Sequence, residues 1–233
     1  MYFPLYFDST YILVLIGVVI SLWASSRVRS TYAKYNRVRN QRGLTGREAA
    51  QQILQNAGIH DVRIEHVAGD LSDHYDPRSK VLRLSDATYN SASVAAVGVA
   101  AHECGHVLQH AKGYAPLAIR TSLVPVANFG SMIAWPLIIF GLFITTNASS
   151  LLINLGIIAF SVSVLFQIVT LPVEYNASSR ALSVLSESHL LYDEELQGAE
   201  KVLKAAALTY VAAAAASILQ LLRILLLSGR RRD

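Results

Sequence analysis

What this chain most conspicuously lacks is charge. From Thr121 through Val173 there is no Asp, Glu, Lys or Arg, a blank of 53 residues in a chain of 233. An average soluble domain is about 25% charged, whereas this chain is 15% charged and 53% hydrophobic, with a mean hydropathy of +0.38. So long a blank needs lipid or a very large core to hide in, and a chain this short cannot build that core. A disordered tail and an ordinary soluble enzyme are both excluded. Cysteine is nearly absent: Cys104 stands alone, so no intrachain disulfide is possible and the redox compartment cannot be read. No Lys or Arg precedes the first apolar run, which excludes the basic start of a secretory signal. The net charge of +4 and the pI near 9.2 first suggest nucleic acid. The basic residues, however, cluster beside apolar runs, where membrane topology accounts for them, and no nucleic-acid partner is expected.

Four apolar runs organise the chain. Ser9 to Ser26 is uncharged over 18 residues, near the ~20 a helix needs to cross a bilayer. Six basic residues follow it, from Arg27 to Arg42, so residues 1–26 read as an uncleaved anchor with the N-terminus outside and Arg27 onward in the cytoplasm. The blank splits into spans of about Asn128–Thr145 and Leu151–Leu171, with Thr145–Ser150 as the turn and Pro136 as an expected kink. Residues 121–173 are therefore a transmembrane hairpin whose ends return to one side. Residues 174–204 turn polar, and 205–233 hold a fourth uncharged run, Ala205–Leu222, then Arg223 and a basic tail. Four spans put that tail outside, against the pull of Arg230, Arg231 and Arg232. Either the fourth span does not fully cross, or the six basic residues after the first span outweigh these three. Arg223 is expected to snorkel towards an interface.

Residues 27–120 read as a soluble α+β region. Thr45-Gly-Arg-Glu48 is a capping box opening an amphipathic helix that Gly58 stops. Val62–Val67 alternates as a strand, Asp73–Pro77 is turn-like, and Val81–Ser85 is a second short strand. That second strand is a candidate edge for an extended peptide to join, or simply a strand that buries its aliphatic residues. A helix then begins at Ser93 and ends near Gly113; its uncharged part is too short to span a bilayer.

That helix carries His102-Glu-Cys-Gly-His106. Two histidines at i and i+4 lie on one helical face, ~5–6 Å apart at Cβ, so both imidazoles can converge on one ion. Glu103 is rotated away from the ligand row and is placed to take a proton from water on the ion's open side. A catalytic zinc site wants a third protein ligand. His110 continues the row but sits ~12 Å along the axis from His102, too far for one ion. His60, His66, His74 and His189 lie in poorer contexts. Glu174 is the better candidate: it closes the charge-free stretch, and an acid at a membrane edge is costly unless paired or metal-bound. His74, Tyr75 and Arg180 are candidates to stabilise an oxyanion, with turn or scaffold duty the plainer explanation of each. Cys104 reads as a small buried hydrophobe.

The chain resembles the YugP-type bacterial membrane zinc metallopeptidases over nearly its whole length. The resemblance rests on Asp73–Pro77, Val81–Ser85, Val97–His106, Ser122–Asn128, Leu171–Glu174 and Lys201–Tyr210. The layout is also distantly similar to the HtpX-type and CAAX-prenyl membrane proteases, whose third ligand is a Glu downstream of a transmembrane hairpin. The resemblance implies Zn²⁺ held by His102, His106 and Glu174, Glu103 as base, and a site on the cytoplasmic side of the cell membrane. Two positions depart from these families: Asn176 stands where an Asp is usual, and Ser178 follows Ala177 where HtpX-type proteins have Asp.

The expectation is a mainly α, multi-pass membrane protein of about four transmembrane helices with a small zincin-like α+β region and a short hairpin. It acts as a zinc endopeptidase on a protein or peptide substrate, with the lipid bilayer as its other partner. The alternative is a non-catalytic membrane scaffold or assembly factor with a structural zinc site. Nothing in the sequence sets the oligomeric state.

Overall fold

The computed structural model describes residues 8–144 and 148–229. The expected turn at Thr145–Ser150 falls largely outside them, as does the basic tail after Gly229, while Ala148 already begins a helix. The elements in chain order are α1 (Tyr11–Tyr35), α2 (Gly46–Asn56), β1 (Arg63–Val67), β2 (His74–Asp76), β3 (Val81–Ser85), α3 (Asp86–Tyr89), α4 (Val94–Ala111), α5 (Ala115–Phe143), α6 (Ala148–Glu187) and α7 (Asp193–Gly229). Four of these helices, α1, α5, α6 and α7, are long and apolar enough to cross a membrane. The fold is mainly α and membrane-like, with one small three-stranded sheet.

The chain divides into two compact units. One comprises Met1–Ala24, Ile119–Thr170 and Thr209–Asp233. Its helices turn large apolar side chains outward, including Leu22, Phe129, Met132, Phe140 and Ile158. In a soluble protein such a surface would aggregate; against lipid it is the expected outer face. Small residues let the helices approach closely. A Cβ placed on Gly130 would lie 2.8 Å from the Ala159 carbonyl oxygen, so α5 and α6 touch backbone to backbone there. Pro125 and Pro136 both lie within the continuous α5. Arg223 does not stand alone: its guanidinium lies over the Tyr11 ring, 4.2 Å from the centroid, a cation–π contact between α7 and α1.

The other unit comprises Ser25–Ala118 and Leu171–Leu208. Its core gathers Ile53 and Leu54 of α2, Leu82 and Leu84 of β3, and α4 residues such as Val97, with Ala181 and Leu185 of α6 and Leu203 of α7. The Thr45 hydroxyl accepts from the Glu48 N–H while the Glu48 carboxylate accepts from the Thr45 N–H, closing the expected capping box. Ser93 caps α4 by accepting from the Ala96 N–H, and its own hydroxyl donates to Asn36.

The sheet order β1-β3-β2 corrects one expectation. Val81–Ser85 is the central strand, parallel to β1 and antiparallel to β2, with both edges already paired. No peptide can add to it, and the free edges belong to β1 and β2. The Asp73–Pro77 stretch is also more than a turn, since His74–Asp76 forms β2 with Tyr75 opposite Leu82. Polar residues 174–204 extend two helices, α6 to Glu187 and α7 from Asp193.

Candidate metal centre

Helix α4 is buried on nearly every side, and this is what makes its polar residues informative. His102 and His106 sit one turn apart, their ring centroids 4.8 Å apart and their planes at 84°. Opposite them, α6 delivers Glu174, only 2% exposed. Its Oε2 lies 3.2 Å from Nε2 of His102 and 3.6 Å from Nε2 of His106. One donor atom from each of the three residues falls within 4.8 Å of the other two. Two ligands each ~2.05 Å from a tetrahedral ion stand about 3.3 Å apart, so this spacing fits the zinc coordination sphere. Among the described residues this is the one such cluster of His, Cys, Asp or Glu.

The contact between α4 and α6 is set by Gly105. A Cβ there would lie 2.4 Å from the Ala177 carbonyl oxygen and 3.0 Å from its carbon, so only glycine admits the neighbouring backbone. Closeness at this point brings Glu174, one turn before Ala177, and Ser178, the residue directly after it, onto the histidine face of α4.

Both imidazoles are held from behind. Nδ1 of His102 is 3.1 Å from the Ser178 hydroxyl, and Nδ1 of His106 is 3.0 Å from Oε1 of Gln109. Each ring thus turns Nε2 towards Glu174, and partners of this kind fix the orientation of metal-binding histidines. Gln109, fully buried, also donates to the Val173 carbonyl at 2.8 Å and to Oδ1 of Asn176 at 3.0 Å. The same Asn176 oxygen accepts from Nε of Arg180 at 2.7 Å. Sequence reasoning missed Gly105, Gln109 and Ser178. The available signals were a glycine inside a buried helix and an uncharged amide three residues after a candidate ligand.

Electrostatics favours positive charge at this place. Burial alone would lower the pKa of His106, but the neighbouring Glu174 carboxylate and the charge of Glu103 reverse the effect and leave it raised. Glu103 is 8% exposed and has no hydrogen bond or ion pair with another described residue. Two carboxylates and two imidazoles in a buried setting suit a divalent cation.

The other candidates lie elsewhere. Cys104 is fully buried against the Ala50 carbonyl, and burial followed by the charge of Glu103 pushes its thiol pKa up, so it stays protonated. His110 pairs with the Tyr75 hydroxyl at 2.8 Å, outside the three-residue cluster. The Tyr75 pKa is pushed up to about 12 by burial and by the charges of Asp61 and Asp76. His74 bonds the Ser72 carbonyl and Arg83, and His66 pairs with Asp86 at 2.6 Å. Arg180, engaged with Asn176, also lies over the Tyr114 ring at 5.8 Å.

Comparison with known proteins agrees with this chemistry. A family model described as "Putative neutral zinc metallopeptidase" matches residues 10–229. The chain is 45% identical over 221 residues, 95% of its own length and 97% of the other's, to "Putative membrane protease YugP" of Bacillus subtilis (strain 168). No solved structure gives a significant match. The cofactor of this family is zinc. With the match covering nearly every described residue, the chain belongs to the neutral zinc metallopeptidase family of membrane proteins.

Proposed function

We propose that this chain is a membrane-bound zinc endopeptidase of the His-Glu-x-x-His type, with His102, His106 and Glu174 as metal ligands and Glu103 as general base. The observation that carries the reading is the convergence of three donor atoms from α4 and α6 to within 4.8 Å, beside the buried carboxylate of Glu103, whose charge acts on His106. The zinc ion would supply Lewis acidity, polarising the scissile carbonyl and lowering the pKa of water. Glu103 accepts a proton from the attacking water at a carboxylate oxygen and returns it to the leaving amine nitrogen. Ser178 and Gln109 hold the imidazoles in place throughout, and the burial of Glu174 keeps competing water from its carboxylate.

The substrate is a protein or peptide, and the chain lies in the cell membrane as a multi-pass protein. Its site is on the cytoplasmic side, as the six basic residues between Arg27 and Arg42 suggest. A structural zinc site in a scaffold would have no use for Glu103, and such sites are normally closed by four protein ligands rather than three.

The deciding experiment purifies the full chain in detergent, quantifies zinc, and compares it with Glu103→Gln on a loosely folded protein substrate. The substituted protein should keep its zinc and lose cleavage by about 10²–10⁴-fold. Cleavage that survives the substitution overturns the mechanism. Full zinc with no cleavage by wild type over many substrates supports the scaffold instead.

A further inference from the structure

The hydrogen bonds behind His106 have a fixed direction. The Val173 carbonyl can only accept, so the Gln109 amide must present its NH₂ there, at 2.8 Å. The Arg180 Nε–H can only donate, so Asn176 must turn its oxygen towards it, at 2.7 Å. That oxygen takes the second amide hydrogen of Gln109 at 3.0 Å. Two independent anchors, a backbone carbonyl and a permanent cation, therefore agree on the orientation of one side-chain amide. Its remaining atom, Oε1, can only accept, and it faces Nδ1 of His106 at 3.0 Å.

We propose that Gln109 is the positioning residue that sets the tautomer of His106, keeping the proton on Nδ1 and the lone pair on Nε2, 3.6 Å from Oε2 of Glu174. The inference rests on the reading of His106 as a zinc ligand. A neutral imidazole free to choose would spend part of its time with hydrogen on Nε2, where a metal cannot bind. Gln109 removes that choice before the ion arrives. It also ties α4 to α6, because Val173 and Asn176 flank Glu174. No acid is needed at position 176 for this arrangement: the Asn176 oxygen performs the accepting role, and Arg180 fixes which way it points.

The test uses the full chain in detergent, labelled with ¹⁵N-histidine and metal-free, with the pH raised until the His106 nitrogen shifts report a neutral ring. Nitrogen chemical shifts report the tautomer, and competition with a chelator gives the zinc affinity. Gln109→Met removes the acceptor; the Nδ1–H signal of His106 should be lost or averaged and zinc affinity should fall about 10- to 100-fold. Gln109→Glu keeps an acceptor oxygen at Nδ1 and should retain the tautomer, although its second oxygen faces two acceptors. A folded Gln109→Met protein with wild-type tautomer and affinity overturns the proposal, as does loss of the Nδ1–H signal in folded Gln109→Glu. Should Gln109→Met not fold, the Gln109→Glu signal decides alone. His106→Ala separates the two levels of inference. If it binds zinc as tightly as wild type, the ligand assignment fails; if only Gln109→Met does, the ligand assignment stands and the tautomer lock falls.

Discussion

Replacing Gly105 by alanine sets two effects against each other, and the geometry decides the sign. On helix propensity alone alanine should stabilise α4 by ~1 kcal/mol, since glycine is a poor interior residue. The added Cβ would lie 2.4 Å from the Ala177 carbonyl oxygen, where ordinary contact begins near 3.4 Å. Backbone atoms on both sides leave no flexible side-chain end to swing aside, so α6 must retreat by about 1 Å. Overpacking of this kind costs ~1–3 kcal/mol, enough to cancel the propensity gain or exceed it. The functional cost is larger. Glu174 is one turn before Ala177 on the same helix and moves with it, while metal–ligand distances tolerate only about ±0.2 Å. Zinc affinity should therefore fall by about 10- to 100-fold, or ~1.4–2.8 kcal/mol, as when support behind a ligand is lost. Chelator competition on the detergent-purified chain measures this, with circular dichroism confirming that the helices persist. Gly98→Ala is the control: its Cβ would meet the Ala199 methyl at 3.2 Å, a tight contact between α4 and α7 away from the ligands. It should bind zinc as wild type does. Wild-type affinity in Gly105→Ala, or an equal loss in Gly98→Ala, refutes the argument that this helix contact builds the site.

Further outcomes follow from other parts of the same unit. Thr45→Ala removes the cap of α2 and should lower stability by ~1 kcal/mol in denaturant melts while leaving zinc binding unchanged. The Glu48 carboxylate is held below its ordinary pKa by hydrogen bonds from the backbone and side chain of Thr45. Its contribution is thus complete above about pH 4.3 and is lost as the pH falls through the folded value; Glu48→Gln should flatten that acid limb of the melting profile. His110→Ala should retain zinc fully, because His110 bonds Tyr75 instead of facing the cluster; metal loss there would reopen the ligand set. Cys104 should resist alkylation in the folded chain and react only on unfolding, read as a mass shift, because its thiol is buried and held protonated.

What could be read from the sequence was whatever a short stretch encodes by itself. The capping box at Thr45, the i, i+4 histidines and the charge-free blank each depend on neighbours a few residues apart, and the structure contains a helix or a cluster at each. Glu174 was reachable because a carboxylate at the end of an apolar run is costly without a partner. The centrality of β3 was not reachable, since its parallel pairing with β1 depends on a crossover that no local pattern announces.

Helix length was not legible either, for a different reason. Hydropathy marks where a helix leaves the hydrocarbon, not where its hydrogen-bond ladder stops. At 1.5 Å per residue the 40 residues of α6 extend about 60 Å, twice the ~30 Å of a bilayer core. Read by apolarity, the segment ends at Leu171. Read by backbone, it continues through Glu174, Ser178 and Arg180 to Glu187. That continuity matters for the chemistry, because a ligand on a helix inherits the rigidity of its ladder, whereas one on a loop would have to be ordered by the metal. It also explains why Asn176 looked like a defect from sequence alone. Judged as a direct partner for a histidine, an amide oxygen is a weaker acceptor than a carboxylate. On this helix Asn176 faces Gln109 and Arg180, while Ser178 reaches His102. The support for each imidazole is therefore distributed over side chains on two helices, and only their contact at Gly105 shows which residue supports which.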